Sequence, residues 1–434
     1  MRFRPVCSIW GGGTDVQRAC GIEDDADNMY RFMTASMGSE NADMIRLYCD
    51  HNVEHFNWLE AQGIPFERSY HKDKAVFLPG TEGLLSTGNE KLWPYCEVAK
   101  PAPRGHQVQE EGDSPCRLAM ERLIRNCFDE GVDATYDSRA TALIIDDRDN
   151  SIVGVQIRKN GELQHFRARK GVILTTGGFV MNDEMVAENL QTSPTLEPLG
   201  TPYSDGVGIR LGSAAGAATD AMNGLIATAS IYPPGQLIKG IIINQNGKRF
   251  VAEDSYHGRT AAFISEQPQQ RAYLIVDSEI FAYPEIETAR HQLLDGYNSI
   301  EEMEAQLELP QGSLTQTLAD YNQHAAQSYD ADFHKHSDWL KPLDKGPWAA
   351  FDISYNHSSY LFMTLGGLKI NPNAQVLDNQ GLVIKGLYAA GACTAHIPKS
   401  GKSYASGMSL GPGSFFGRVA GRHCAGTAAL NNSQ

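Results

Sequence analysis

Three glycine clusters have spacings with direct chemical meaning: Gly11-Gly-Gly13 followed by Thr14, the pair Gly177-Gly178, and Gly386-Leu-Tyr-Ala-Ala-Gly391. Glycine lets the backbone approach a pyrophosphate closely and aims N–H groups at its oxygens. Any one of these clusters taken alone reads first as a tight turn. Together, with two of them ending apolar, strand-like runs, they point to a dinucleotide-binding α/β fold. A Gly-x-Gly-x-x-Gly fingerprint near the N-terminus is absent; it normally sits in a βαβ unit of ~30 residues with an acidic residue at its end. The chain therefore reads as starting downstream of where that unit belongs. Its eight cysteines (Cys7, Cys20, Cys49, Cys96, Cys116, Cys127, Cys393 and Cys424) form no Cys-x-x-Cys pair and stand at no zinc spacing from histidine. No metal site is expected, and the cysteines read as free thiols in a reducing compartment.

The elements that must position these residues follow from periodicity. Asp27–Met33 and Asn41–Gln62 have helical patterning, the longer one with Met44, Ile45, Leu47, Tyr48, Phe56 and Leu59 broadly on one face. Lys72–Gly112 is rich in Gly, Pro and Glu and reads as irregular loops. Pro115–Glu130 is helical with Leu118, Leu123 and Cys127 inward. Three short β-rich runs, Ala134–Asp146, Ser151–Lys159 and Glu162–Arg169, are separated by turn residues and form a meander. The meander leads into Gly171–Phe179, an apolar strand that stops at two glycines. From Tyr203 to Lys345 the texture changes to a helix near Gly206–Gly216, a strand at Ile238–Asn244 and later helices at Ile300–Leu307 and Leu314–Tyr329. The tail returns to strands at Leu368–Ile370 and Gly386–Ala389, then a closing helix, Ser414–Ala428.

The 434 residues are enough for more than one core. Hydrophobic residues at 41% and charged residues at 21% fit a folded soluble protein. A formal net charge of -15 argues against nucleic acid, because phosphate binding wants a basic surface. No run approaches the ~20 apolar residues of a membrane helix, and Met1-Arg-Phe-Arg-Pro5 is followed by no apolar segment, so no signal peptide is read and the cytoplasm is the expected location.

Five ordered blocks carry a family resemblance: Gly171–Phe179, Ser204-Asp-Gly-Val-Gly-Ile-Arg-Leu-Gly212, Gly247-Lys-Arg-Phe-Val-Ala-Glu253, Thr364-Leu-Gly-Gly-Leu368 and Gly386–Gly391. They resemble the fumarate reductase and succinate dehydrogenase flavoprotein superfamily, over nearly the whole chain. The resemblance implies an α/β fold: a Rossmann-like FAD-binding domain, here truncated at its N-terminus, split by an inserted α+β catalytic domain. The expected division is 1–200 and 356–434 for the FAD-binding parts and 201–355 for the insert. Fumarate reductases have arginines where this chain has His257 and Tyr404. Arginine is suited to bidentate carboxylate binding, and tyrosine cannot carry that charge. Glu253-Asp-Ser-Tyr-His-Gly-Arg259 and Ser403-Tyr-Ala-Ser-Gly-Met-Ser-Leu-Gly411 are instead similar to the 3-ketosteroid Δ4-(5α)-dehydrogenases.

That resemblance implies Tyr256, Tyr404 and Ser406 as the catalytic set. FAD is the implied cofactor, held by Gly11, Gly12, Thr14, Ala140, Gly177, Gly178, Gly391, Ser409 and Leu410. Ala140 rests on its place in the meander where the family's backbone meets adenine. Substrate contacts are expected from His257, from the Gly401 N–H, and from His106 in a long loop at the substrate entrance. His257 reads equally as a surface histidine or one packed behind the site residues. Arg249 and Arg259 are expected in ion pairs near Glu253. Desaturation beside a carbonyl removes a proton from one carbon and a hydride from the next, with FAD accepting the hydride. Tyr404, assisted by Ser406, is expected to take the proton, with Tyr256 as relay or carbonyl partner; the two tyrosine roles can be exchanged. A free phenol titrates near ~10, so a base role needs donors that stabilise the phenolate. The implied partners are a ketone, most simply a steroid, and an electron acceptor. Two alternatives stand beside this reading: a fumarate-type reductase of an unsaturated acid, and a truncated homologue unable to bind FAD.

Overall fold

Apolar β-branched runs set the most buried sheet of the molecule. In the computed structural model, Ile241–Asn244, Ala272–Asp277, Trp348–Asp352 and Gln292–Tyr297 lie side by side in that order, all antiparallel. Ile241, Ile242, Ile243, Leu274, Ile275 and Val276 have no exposed surface, and each contributes up to about 2 kcal/mol by burial. The helices Ile300–Gln306 and Ser313–Ala326 accompany this sheet, bounded on one side by a closed ionic knot. In it, Arg249 reaches Glu253 at 2.9 Å and Asp330 at 2.8 Å, and Lys335 stands 3.3 Å from Glu253. The structure describes residues 7–74, 80–109, 115–191, 195–229, 234–283 and 292–427. The Met1–Pro5 start, parts of the Lys72–Gly112 stretch and Ala428 lie outside these.

A second sheet carries the parallel pair that a dinucleotide fold requires. Val172–Leu174 runs parallel to Val383–Ala389, with Leu387 opposite Val172 and Ala389 opposite Leu174, and Gln375–Leu377 lies on the far side. The meander forms as expected from Arg139–Ile145, Ile152–Lys159 and Glu162–Arg167. Among the described residues, no helix is long and apolar enough to cross a membrane.

Several expectations are corrected. Part of the stretch read as loop is sheet: Leu84–Leu85 pairs with Gly105–Gln107, which pairs with Ser8–Trp10. These strands are too short for a periodicity to register. The closing helix runs from Leu410 to Gly426, starting earlier than expected because Pro412 sits in its first turn, where a missing N–H costs no bond. In the helix Pro115–Asp129, Leu118 and Leu123 pack on the small core beneath, but Cys127 is exposed because that core ends short of the last turn.

Candidate active site

Two chain segments far apart in sequence meet at a pair of tyrosines. The first is the turn that ends in Tyr256, immediately before the helix His257–Ser265. The buried Arg249–Glu253 pair braces the start of this turn. The second is the Gly401–Ser409 loop leading into the closing helix. Gly401 is buried against the helix start: a Cβ there would stand 2.8 Å from the Gly258 carbonyl, so glycine permits the close approach. Arg259 donates to the Lys402 carbonyl at 3.2 Å and to the Tyr95 hydroxyl at 3.0 Å, fastening loop to helix.

The tyrosine rings lie 6.1 Å apart, centroid to centroid, and both side chains are buried. The Tyr256 hydroxyl is 3.2 Å from the Ser406 hydroxyl, and the Tyr404 hydroxyl is 2.7 Å from that of Ser409. The His257 ring packs 4.0 Å from Tyr256. Burial, with the Lys74 ammonium adding to it, pushes the His257 imidazole down to about 3, so the ring is neutral at ordinary pH. Its Nδ1 is buried and has no hydrogen-bond partner among the described residues. Burial pushes the Tyr404 phenol above its ordinary value, and bonds from the Ser409 hydroxyl and backbone pull the other way. The cluster therefore offers hydroxyls and a neutral imidazole to whatever binds beside it.

The structure brings Tyr256, His257, Tyr404 and Ser406 together, with one change of partner. Ser406 bonds to Tyr256, and Tyr404 takes Ser409 instead, because the loop turns after Tyr404 rather than running extended. Ser409, expected only against the cofactor, thus also touches the tyrosine pair. Arg249 is ion-paired as expected. Arg259 instead makes neutral bonds to Tyr95 and Lys402 and packs over the Phe263 ring.

The dinucleotide-side residues divide into two groups. Gly177 follows the strand Val172–Leu174, and Gly391 follows its parallel neighbour Val383–Ala389, so both clusters lie at the carboxyl end of one pair of strands. That is where open α/β sheets bind ligands. Gly391 has φ +74° and open space where a Cβ would be. It lines a cavity with Thr394, His396, Ser409, Pro412 and Gly413, at the N-terminal end of the closing helix, which begins at Leu410. An uncovered glycine turn and a helix N-terminus suit a flavin with its ribityl and phosphate chain, so this end of the molecule fits FAD. Ala140, half-buried in the meander, is neither held nor excluded by its surroundings.

Gly11, Gly12 and Thr14 do not present free donors. Gly11 N–H donates to the Arg104 carbonyl at 3.0 Å, Gly12 N–H to Asn52 Oδ1 at 2.8 Å, and Thr14 N–H to Gln17 Oε1 at 3.2 Å. Thr14 caps the helix Asp15–Ala19 in a reciprocal capping box, so this turn is shaped by helix initiation. His106 is corrected too. It lies in a strand, is fully buried, and bonds Thr14 Oγ1 at 2.7 Å and the Arg104 carbonyl at 3.0 Å, which removes it from any entrance. Two residues not singled out from sequence hold the tyrosine turn. Asn89 accepts the Tyr256 N–H at 3.0 Å, and Lys74 donates to the Ser255 carbonyl at 2.8 Å. No local pattern marks either, because their partners are more than a hundred residues away.

A family model described as an FAD binding domain matches residues 7–407. The chain is similar to the crystal structure of a 3-ketosteroid-Δ4-(5α)-dehydrogenase from Rhodococcus jostii RHA1 in complex with 4-androstene-3,17-dione. The TM-score is 0.89 and the identity 36%, covering 97% of this chain and 88% of that one. It is also 25% identical to the 3-oxo-5-alpha-steroid 4-dehydrogenase of Comamonas testosteroni, over 78% of this chain and 76% of that protein. A probable fumarate reductase of Shewanella frigidimarina is 23% identical over 95% of this chain, which spans 66% of that relative's length.

Proposed function

The chain belongs to the FAD binding domain family of the fumarate reductase and succinate dehydrogenase flavoprotein superfamily, and from that premise we propose that it is a ketone desaturase acting on 3-ketosteroids at the 4,5 bond. The observation that carries this reading is the uncharged cluster of the buried Tyr256, Tyr404 and His257 with the half-buried Ser406 and Ser409. A dicarboxylate needs cations to replace its hydration, and among the described residues those near this cluster are engaged elsewhere: the Lys74 ammonium is turned onto the Asp254 and Ser255 carbonyls, and the Arg249 and Arg259 guanidinium groups are bonded to other partners. A neutral carbonyl needs only hydrogen-bond donors. The steroid-active relatives in Rhodococcus and Comamonas support the same choice.

Bound FAD supplies a hydride acceptor. The protein supplies the rest. The Tyr256 hydroxyl donates to the ketone oxygen, and the Ser406 hydroxyl donates to the Tyr256 oxygen to fix its orientation. The Tyr404 phenolate oxygen takes the proton from the carbon beside the carbonyl, and the Ser409 hydroxyl donates to that oxygen before transfer. The C–H electron pair left behind becomes the new double bond as the neighbouring carbon loses its hydride. Exchanging the tyrosine roles leaves this balance unchanged. The unpartnered His257 Nδ1 and the Gly401 backbone supply further polar contacts to the substrate. Burial of both phenols keeps water from competing for the carbonyl. The same reading takes 201–355 as an inserted unit carrying Tyr256, between FAD-binding parts 1–200 and 356–434, consistent with the four-stranded sheet lying wholly within that span.

Incubating the flavin-loaded protein with a 5α-saturated 3-ketosteroid and an artificial electron acceptor tests the proposal. The expected product is the conjugated 4-ene-3-one, two hydrogens lighter. Reduction of fumarate with no steroid turnover would replace this reading with the unsaturated-acid one.

A further inference from the structure

One side chain joins the two tyrosine segments. The run Thr87-Gly-Asn-Glu90 is buried and folds on itself: the Glu90 carboxylate accepts from Thr87 N–H at 2.8 Å, Thr87 Oγ1 at 2.9 Å and Gly88 N–H at 2.7 Å. This closed loop aims the Asn89 carboxamide between the segments. Its Oδ1 accepts the Tyr256 N–H at 3.0 Å, and its Nδ2 donates to the Tyr404 carbonyl at 3.0 Å. Asn89 is 1% exposed, so both bonds are made away from water, where an unmade one is costly. Gly88 has φ +113°, and a Cβ there would stand 3.3 Å from the Tyr256 Cα, so the loop rests against the tyrosine backbone itself. Lys74 grips the Asp254 and Ser255 carbonyls just upstream.

Resting on the desaturase reading, we propose that Asn89 is the positioning residue of the tyrosine pair: its single carboxamide fixes the Tyr256 and Tyr404 backbones relative to each other and so sets the spacing of their hydroxyls. A carboxamide is suited to this because one end accepts and the other donates. The isosteric carboxylate keeps the first bond and sets an acceptor against the Tyr404 carbonyl. It also places a negative charge near the phenols, which disfavours a phenolate.

The test uses the flavin-loaded full chain as Asn89→Asp and Asn89→Ala, with 3-fluorotyrosine placed at position 404 for fluorine NMR. In both variants kcat for the steroid is expected to fall by roughly tenfold or more with KM within about twofold, the split that marks lost transition-state positioning. In Asn89→Asp, the fluorophenol titration and the rising limb of the pH–rate profile should both move to higher pH. Parent-like kcat and titration in both variants would overturn the proposal, as would raised KM with unchanged kcat, which marks a substrate contact. If only one variant folds, its kcat and KM decide alone. Should the parent leave the steroid untouched, the desaturase reading fails separately, and the fluorine titration still reads whether Asn89 governs the Tyr404 phenol: movement in Asn89→Asp keeps the positioning role, no movement removes it.

Discussion

Replacing His106 with Gln should make the protein less sensitive to acid than its parent. His106 is fully buried, and burial pushes its imidazole down from 6.5 to about 4. In the unfolded chain the imidazole regains its ordinary value, so between these two values the unfolded state binds more protons. Stability then falls as pH drops below 6.5 and flattens near the folded value. At pH 5 the unfolded imidazole is mostly charged while the folded one is neutral, which costs about 2 kcal/mol relative to pH 7. His55 and His257, each pushed down to about 3 by burial first and then by neighbouring cations, add penalties of the same sign and similar size. Glutamine cannot titrate. His106→Gln starts with a deficit at pH 7 from the disturbed bonds to Thr14 and the Arg104 carbonyl. That deficit should shrink by about 2 kcal/mol when urea unfolding is repeated at pH 5. Measuring the difference between variant and parent at each pH, with FAD in equal excess, cancels pH effects common to both. A deficit that stays constant between the two pH values would refute the claim that His106 is held neutral.

Tyr404→Phe should lower steroid turnover by ~10²-fold or more with flavin content unchanged, checked by initial rates and the flavin-to-protein absorbance ratio; near-normal turnover removes Tyr404 from proton transfer. With a phenolate as the proposed base, turnover should rise about tenfold per pH unit on the acid side of the phenol's value. Ser409→Ala should move that limb to higher pH by removing a bond that holds Tyr404 down. A rising limb near pH 3, where burial puts the His257 imidazole, that vanishes in His257→Gln would instead make the imidazole the base. Gly391→Val should cut retained flavin severalfold, since it fills the open space beside the cavity and strains a left-handed residue; full flavin occupancy in this variant would move the cofactor elsewhere.

The blocks that define the family were legible because they are local. The meander, the strand before Gly177 and the helices of the middle section appear where periodicity places them. The clustering of Tyr256, His257, Tyr404 and Ser406 could be read from the sequence, but their pairing could not. Ser406 and Ser409 exchange partners because the loop after Tyr404 curls, a consequence of Gly407 at φ +97° packing against Trp10 and Ile9 from the far end of the chain. The same distance hides Asn89, whose bonds span 167 and 315 residues. The Gly11–Thr14 turn shows the opposite error. Its composition suits a phosphate, but Arg104, Asn52 and Gln17 had already claimed its donors, and only coordinates reveal that.

Anaerobic mixing of the flavin-loaded protein with 5α-androstane-3,17-dione tests the central claim most directly. The account predicts that the yellow flavin absorbance bleaches with one equivalent of steroid, forming 4-androstene-3,17-dione, while succinate leaves the colour unchanged. Bleaching by succinate and inertness toward the steroid would contradict it.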